Sequence, residues 1–239
     1  MKIYAFIFNQ VVHSCLKYRV RGLPARFSDA NAVALDGAGN LFIADTTHHT
    51  IRKLAIATGA VTTIAGSAGL QGNADGIGNA ARLNAPYGLA TDGAGNLYVA
   101  DTSNSCIRKI VLATGAVTTL AGAAGMSGSS DGTGQTARFS SPASVATDSV
   151  GNLFIADTGN HTIRKLILAT GVVTTLAGTA STAGTTDGIG TAARFFGPRG
   201  MAADGIGNLY IADRGNNTIR KIVVATGAVT TLAGSPGVS

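Results

Sequence analysis

Between Asn96 and Ala121 the apolar positions recur every second residue, a period that belongs to strands and not to helices. In NLYVAD (96–101) Leu97 and Val99 alternate with Tyr98 and Ala100, and β-branched residues fill CIRKIV and AVTTL. Short runs of this kind, split by Gly, Asn and Asp, predict strands joined by tight turns. Four strands result: a over 87–91, b over 96–101, c over 107–112 and d over 116–121. DGAGN (Asp92 to Asn96) joins a to b as a hairpin turn whose Gly and Asn supply positive φ. The polar segment Thr102 to Ser105 joins b to c, and Ala113 to Gly115 joins c to d.

The same stretch occurs four times, starting at Gly39, Gly95, Gly151 and Gly207, always 56 residues apart. A fixed period of that size means one supersecondary unit repeated along the chain. The units open at ARF or ARL (Ala25, Ala81, Ala137, Ala193) and close at Gly66, Gly122, Gly178 and Gly234. They delimit blades 25–66, 81–122, 137–178 and 193–234, joined by 14-residue linkers. Four antiparallel strands with links this short describe a blade of a β-propeller, so the chain is read as all-β. Residues 1–24 stand outside the repeat and read as an irregular head. Its MKIYAFIF start has an apolar run of about six residues, shorter than the ~7–15 of a signal-peptide core.

The pattern ARF, then Pro, GLA, Asp, GNLYVAD, Asn and IRKI resembles the NHL repeat over residues 25–239, in its Gly-rich, long-linker bacterial form. The resemblance implies a β-propeller, most often six-bladed. Four blades then form either a closed four-bladed ring or part of a larger (six-bladed) propeller. Small inner strands, GLA at Gly88–Ala90 and GMA at Gly200–Ala202, suit a closed ring. Blades bury their faces only against neighbours, so an open arc leaves two apolar faces and predicts self-association. Ala30 in place of the Pro of the other blades, and AGSPGVS running into what reads as a further linker, point to a fragment of a longer array. With the Glu-free, Gly-rich composition, the resemblance implies an extracellular or periplasmic setting.

Charge changes the picture little. The net charge is +6, but four of those charges sit in residues 1–24 (Lys2, Lys17, Arg19, Arg21) and two in residues 179–239, which gain Arg199 and Arg214. Three of the repeat segments are self-neutralised, which argues against a nucleic acid tracked by clustered Lys and Arg. No apolar run approaches the ~20 residues of a membrane-spanning helix. Cys15 and Cys106 make no disulfide framework, and Cys106 replaces the Thr of the other blades.

Catalysis has little support. Lyases and lactone hydrolases on related propellers hold a channel metal with several His, Glu or Asp, but here Glu is absent and only His49 and His161 share a repeat position. The single Asp of each linker DGxG (Asp75, Asp131, Asp187) reads as a turn, not a calcium loop. The reading is a non-enzymatic scaffold with no metal or cofactor, binding a protein or a small anionic or sugar ligand. The alternative is a lyase or hydrolase with a channel metal. In an antiparallel meander the b–c loops and d–a linkers share one face, which is the expected binding surface. Residues identical in all four blades, such as Asp45, Asp101, Asp157 and Asp213 and the Arg of strand c, read as structural. The symmetry-breaking positions Asn31, Tyr87, Arg199 and Arg214, with His49 and His161, are the candidate ligand-binding rim. Two guanidinium groups there suit a carboxylate, sulfate or phosphate, and Tyr87 suits stacking on a sugar or aromatic ring.

Overall fold

Alternating patterns with Gly-bearing turns fold as hairpins, and the computed structural model joins them into four blades arranged side by side. It describes residues 25–148 and 150–237; the head (1–24) and Cys15 lie outside these. Strands a to d of blade one are Ala30–Leu35, Asn40–Asp45, Thr50–Ala55 and Ala60–Ala65. In blade two they are Pro86–Thr91, Asn96–Asp101, Cys106–Val111 and Ala116–Ala121. Blade three has Pro142–Thr147, Asn152–Asp157, Thr162–Ile167 and Val172–Ala177, and blade four Pro198–Ala203, Asn208–Asp213, Thr218–Val223 and Ala228–Ala233. Each blade is an antiparallel meander in chain order, strand a innermost, and strand c begins one residue earlier than the pattern indicated.

The linkers do more than connect. Gly76–Ile77 pairs with the outer strand d of blade two, and Gly132–Thr133 and Gly188–Ile189 do the same in blades three and four, so these sheets have five strands instead of four. A single-turn 3-10 helix follows each (Gly78–Ala80, Gly134–Thr136, Gly190–Ala192) and packs on strand d of the preceding blade. Blades radiating from an axis diverge outward, and the linker fills that gap. Only the first half of the linker stays beside the b–c loops; the second half runs along the outer edge, where Gly78 N–H donates to the Gly115 carbonyl of the c–d turn. The expected face therefore carries the b–c loops and half of each linker.

Among the described residues the core consists of three inter-blade layers. Phe42, Ala44, Ile51 and Ala65 of blade one meet Leu89, Leu97, Val99, Ile110 and Val117 of blade two. The equivalent residues repeat the layer at the next two junctions. A Phe or Leu of the ARF/ARL motif plugs each junction: Leu83, Phe139 and Phe195 are fully buried. Gly122 and Gly178 make room for the two phenylalanines, with φ of 83° and 90°. A methyl added at Gly122 would lie 2.9 Å from a ring carbon of Phe139 and 2.8 Å from the Ser105 carbonyl oxygen.

Strand a of each blade packs on strand a of the next, from one to two, two to three and three to four. Among the described residues there is no comparable packing of blade four on blade one. Exposure agrees: Ile219 is 37% exposed where Ile51, Ile107 and Ile163 are at 0%, and Phe27 is 40% exposed where its equivalents are at 0%. The four blades form an open arc of a propeller and not a closed four-bladed ring. Among the described residues no helix is long and apolar enough to cross a membrane.

Gly93 has positive φ but open space around it, whereas Gly122 has positive φ and no room. Gly93→Ala is expected to lose about 1–2 kcal/mol from the left-handed backbone alone, and Gly122→Ala clearly more. Urea denaturation of both variants checks this; equal losses would mean that the junction does not depend on that space.

Candidate functional site

Strand b ends in Asp in every blade, and the structure buries each of these carboxylates completely. A buried charge needs partners. Asp101 accepts the Asn84 backbone N–H at 2.7 Å, the Asn104 side-chain amide at 2.8 Å and the Arg108 guanidinium at 2.9 Å. The other nitrogen of Arg108, itself fully buried, reaches Asp75 of the linker at 2.8 Å. Blades three and four repeat the set with Asp157, Arg164 and Asp131 and with Asp213, Arg220 and Asp187. The DGxG aspartates are therefore not merely turn residues, as their spacing indicated; each carboxylate is an ion-pair partner that pins the linker to strand c. Blade one differs: Arg52 reaches Asp45 at 3.2 Å, and His48 takes the Asn position with Nδ1 at 3.0 Å from the carboxylate.

Burial pushes these carboxyls up, against the donors around them: Asp157 to about 6, with Asp101 and Asp213 moved in the same direction. On the opposite face the a–b turn carboxylates of Asp36, Asp92 and Asp204 are held below the usual range by the Asn side chain and backbone N–H groups that close each turn. The Cys106 thiol is buried beside Asp101, and burial pushes it up to about 12. Its equivalents Thr50 and Thr218 have hydroxyl oxygens without partners, so a thiol fits there without loss of a hydrogen bond.

The candidate rim lies where strand a starts and strand b ends. Thr46, Thr102 and Thr158 donate their hydroxyls to the carbonyls of Pro86, Pro142 and Pro198 in the next blade, at 2.8, 2.7 and 2.6 Å. His49 and His161 hold left-handed positions, φ 58° and 60°. Their Nδ1 atoms accept the Ala85 and Gly197 backbone N–H groups at 3.0 and 3.1 Å, again across a blade junction. Asn31 bonds to the Thr46 hydroxyl at 3.0 Å and to the Asp29 carbonyl. Asn31, His49 and His161 are thus occupied in holding loops and blades together. Tyr87 and Arg199 come together instead: the Arg199 guanidinium lies 4.5 Å from the centre of the Tyr87 ring. They stand in blades two and four, and small, buried Ala143 occupies the same position of blade three between them. Arg214 is exposed at the start of the turn Arg214–Asn216, and its side chain makes no hydrogen bond or ion pair among the described residues.

The threonine clasp was missed in the sequence, although its signal was there: Thr at this position in three blades and Arg in the last. Among the described residues no group of three or more His, Cys, Asp or Glu side chains is placed to hold a metal ion. An open groove of about 400 Å³ lies on the other face, between the a–b turns of blades three and four, lined by Val150, Phe154, Ile206, Leu209 and Val224.

The NHL repeat family model matches residues 83–110 and 139–166, equivalent spans of blades two and three. The chain carries NHL repeats. It is 32% identical over 226 residues to NHL repeat-containing protein 2 of Gallus gallus, covering 84% of this chain and 31% of that protein. It is 37% identical over 137 residues to the chloroplastic protein SUPPRESSOR OF QUENCHING 1 of Arabidopsis thaliana, covering 54% of this chain and 13% of that protein. The NHL blades thus span less than a third of these relatives. A solved protein of unknown function from Bacteroides thetaiotaomicron superposes with a TM-score of 0.69 at 29% identity, over 85% of this chain and 48% of that one.

A carboxyl held above its unfolded value favours the fold while protonated. The contribution of Asp157 is therefore full below the unfolded value of about 4 and is lost as the pH rises through about 6. Stability from urea denaturation is expected to fall between those two pH values, and to fall less in Asp157→Asn. A steeper fall in the variant would show that the sign is wrong.

Proposed function

We propose that this NHL propeller arc is a non-enzymatic interaction scaffold that binds an acidic segment of a protein partner on the face carrying the b–c loops. The observation that supports this reading is the Arg199–Tyr87 stack. A guanidinium held by its flat face against a ring keeps its in-plane N–H groups free, and these form the fork that receives a carboxylate. The stack also fixes the rotamers of a side chain that would otherwise lose entropy on binding. Since Arg199 covers one face of Tyr87, carboxylate recognition fits the rim better than stacking of a sugar on that ring. Arg199 has no carboxylate partner among the described residues, unlike the buried arginines of strand c. Asn31, His49 and His161 hold the rim loops through their hydrogen bonds.

A fluorescein-labelled Glu-rich peptide, with its Gln counterpart as control, tests the reading by fluorescence polarisation. The Glu peptide is expected to bind, more weakly at high salt. Arg199→Ala is expected to lose about tenfold in affinity, as removal of a hydrogen bond to a charged group does. Equal binding of the two peptides, or no effect of Arg199→Ala, would sink the proposal.

A further inference from the structure

Each junction between blades uses the same three devices, and the 56-residue period states what the two free ends of the arc would present to one another. The first device is a plug: Phe139 and Phe195 sit on Gly122 and Gly178 of the preceding blade. By the same register Phe27, 40% exposed, matches Gly234. The second is the apolar layer. On blade four, Tyr210, Ala212 and Ile219 occupy positions that blades one to three bury, and Leu232, 51% exposed, matches Ile64, Leu120 and Leu176, which are half-buried against the next blade. On blade one, Val33, Leu54 and Val61 occupy positions whose equivalents meet the preceding blade. The third is the polar clasp at the rim. There the junctions within the chain set a threonine (46, 102, 158) against a neutral corner, Ala85–Pro86, Ser141–Pro142 or Gly197–Pro198.

At the free ends the clasp changes its chemistry on both sides at once. The threonine becomes Arg214, exposed and unpaired among the described residues, and the neutral corner becomes Asp29–Ala30, with Asp29 exposed. Asp29 keeps the left-handed backbone of that corner, φ 57° against 48° at Ala85 and Ser141 and 60° at Gly197. A base on the trailing end and an acid on the leading end thus replace a neutral pair at the one junction that the arc leaves unmade. Asn217, in the position of His49 and His161, offers a side-chain oxygen where those rings accept the corner N–H.

We propose that copies of this chain associate head to tail, the free face of blade four receiving blade one of a second copy, with Arg214 set opposite Asp29. The contact is heterologous, so it closes only if the rotation per blade allows. Two copies would give eight blades, within the four to eight usual for propellers.

Light scattering on a sizing column is expected to give twice the 23.8 kDa of the chain. Asp29→Arg or Arg214→Asp alone is expected to weaken association about tenfold through a like-charge contact, and the double exchange to restore it. Phe27→Asp and Leu232→Asp are each expected to be monomeric and folded, both sites being exposed. Mixed, they should form a dimer, since the intact tail of one meets the intact head of the other. A monomer at all concentrations would overturn the proposal. So would a dimer indifferent to the charge exchange, or a mixture of the two apolar variants that stays monomeric.

Discussion

Everything in a blade is placed relative to a carboxylate that solvent does not reach. The Asp that ends strand b fixes the backbone entering strand a through one oxygen, and the b–c turn and the strand-c Arg through the other. Because that Arg is also buried, its second nitrogen must find an acceptor, and the linker Asp supplies it. One requirement, that no buried charge stay unpaired, therefore joins three segments distant in sequence. The linker is drawn down the outer edge and adds its short strand there, and the loops of the rim rest on a fixed base. Their left-handed residues, which an unconstrained loop rarely keeps, recur in all four blades.

The blades have no closed core of their own. Each covers one face of its neighbour, so stability is carried at junctions and the ends are the weak points of the arc. The exposures of Phe27 and Ile219 express this directly, because the same positions are sealed wherever a neighbour exists, and Leu232 is more exposed than its half-buried equivalents. The rim follows from the same arrangement. Thr and His side chains bridge one blade to the next because strand b of one ends beside strand a of the next, where unpaired backbone groups need partners.

Much of this was legible in the sequence, and the remainder fails for definable reasons. Period two and the turn glycines located the strands to within a residue, since both are local properties. The linker aspartates could not be recognised as ion-pair partners, because Asp75 meets Arg108 from 33 residues away and a lone DGxG looks like any turn. The fifth strands are two residues long and carry no alternation. Tyr87, Arg199 and Arg214 were placed on one rim by topology alone. That Arg199 stacks on Tyr87 depends on how near the fold brings strand a of blade four to strand a of blade two, which the pattern of a single blade does not encode.

Repetition itself tells structural from functional positions here. A residue present in every blade, such as the strand-b Asp, is explained once the blade is explained, and it leaves nothing over for a ligand. A residue that departs from the repeat is not explained by the repeat: His48 and Asn31 find partners within blade one, and others reach beyond their own blade. Arg199 departs and finds Tyr87 two blades away. Arg214 and Asp29 depart at opposite ends, and each has the sign the other lacks. If chance alone had placed them, opposite charge at the two equivalent corners would be one arrangement among several, and the neutral pair used three times over would be the default. The two departures are more simply read as one feature, divided between the ends of the arc.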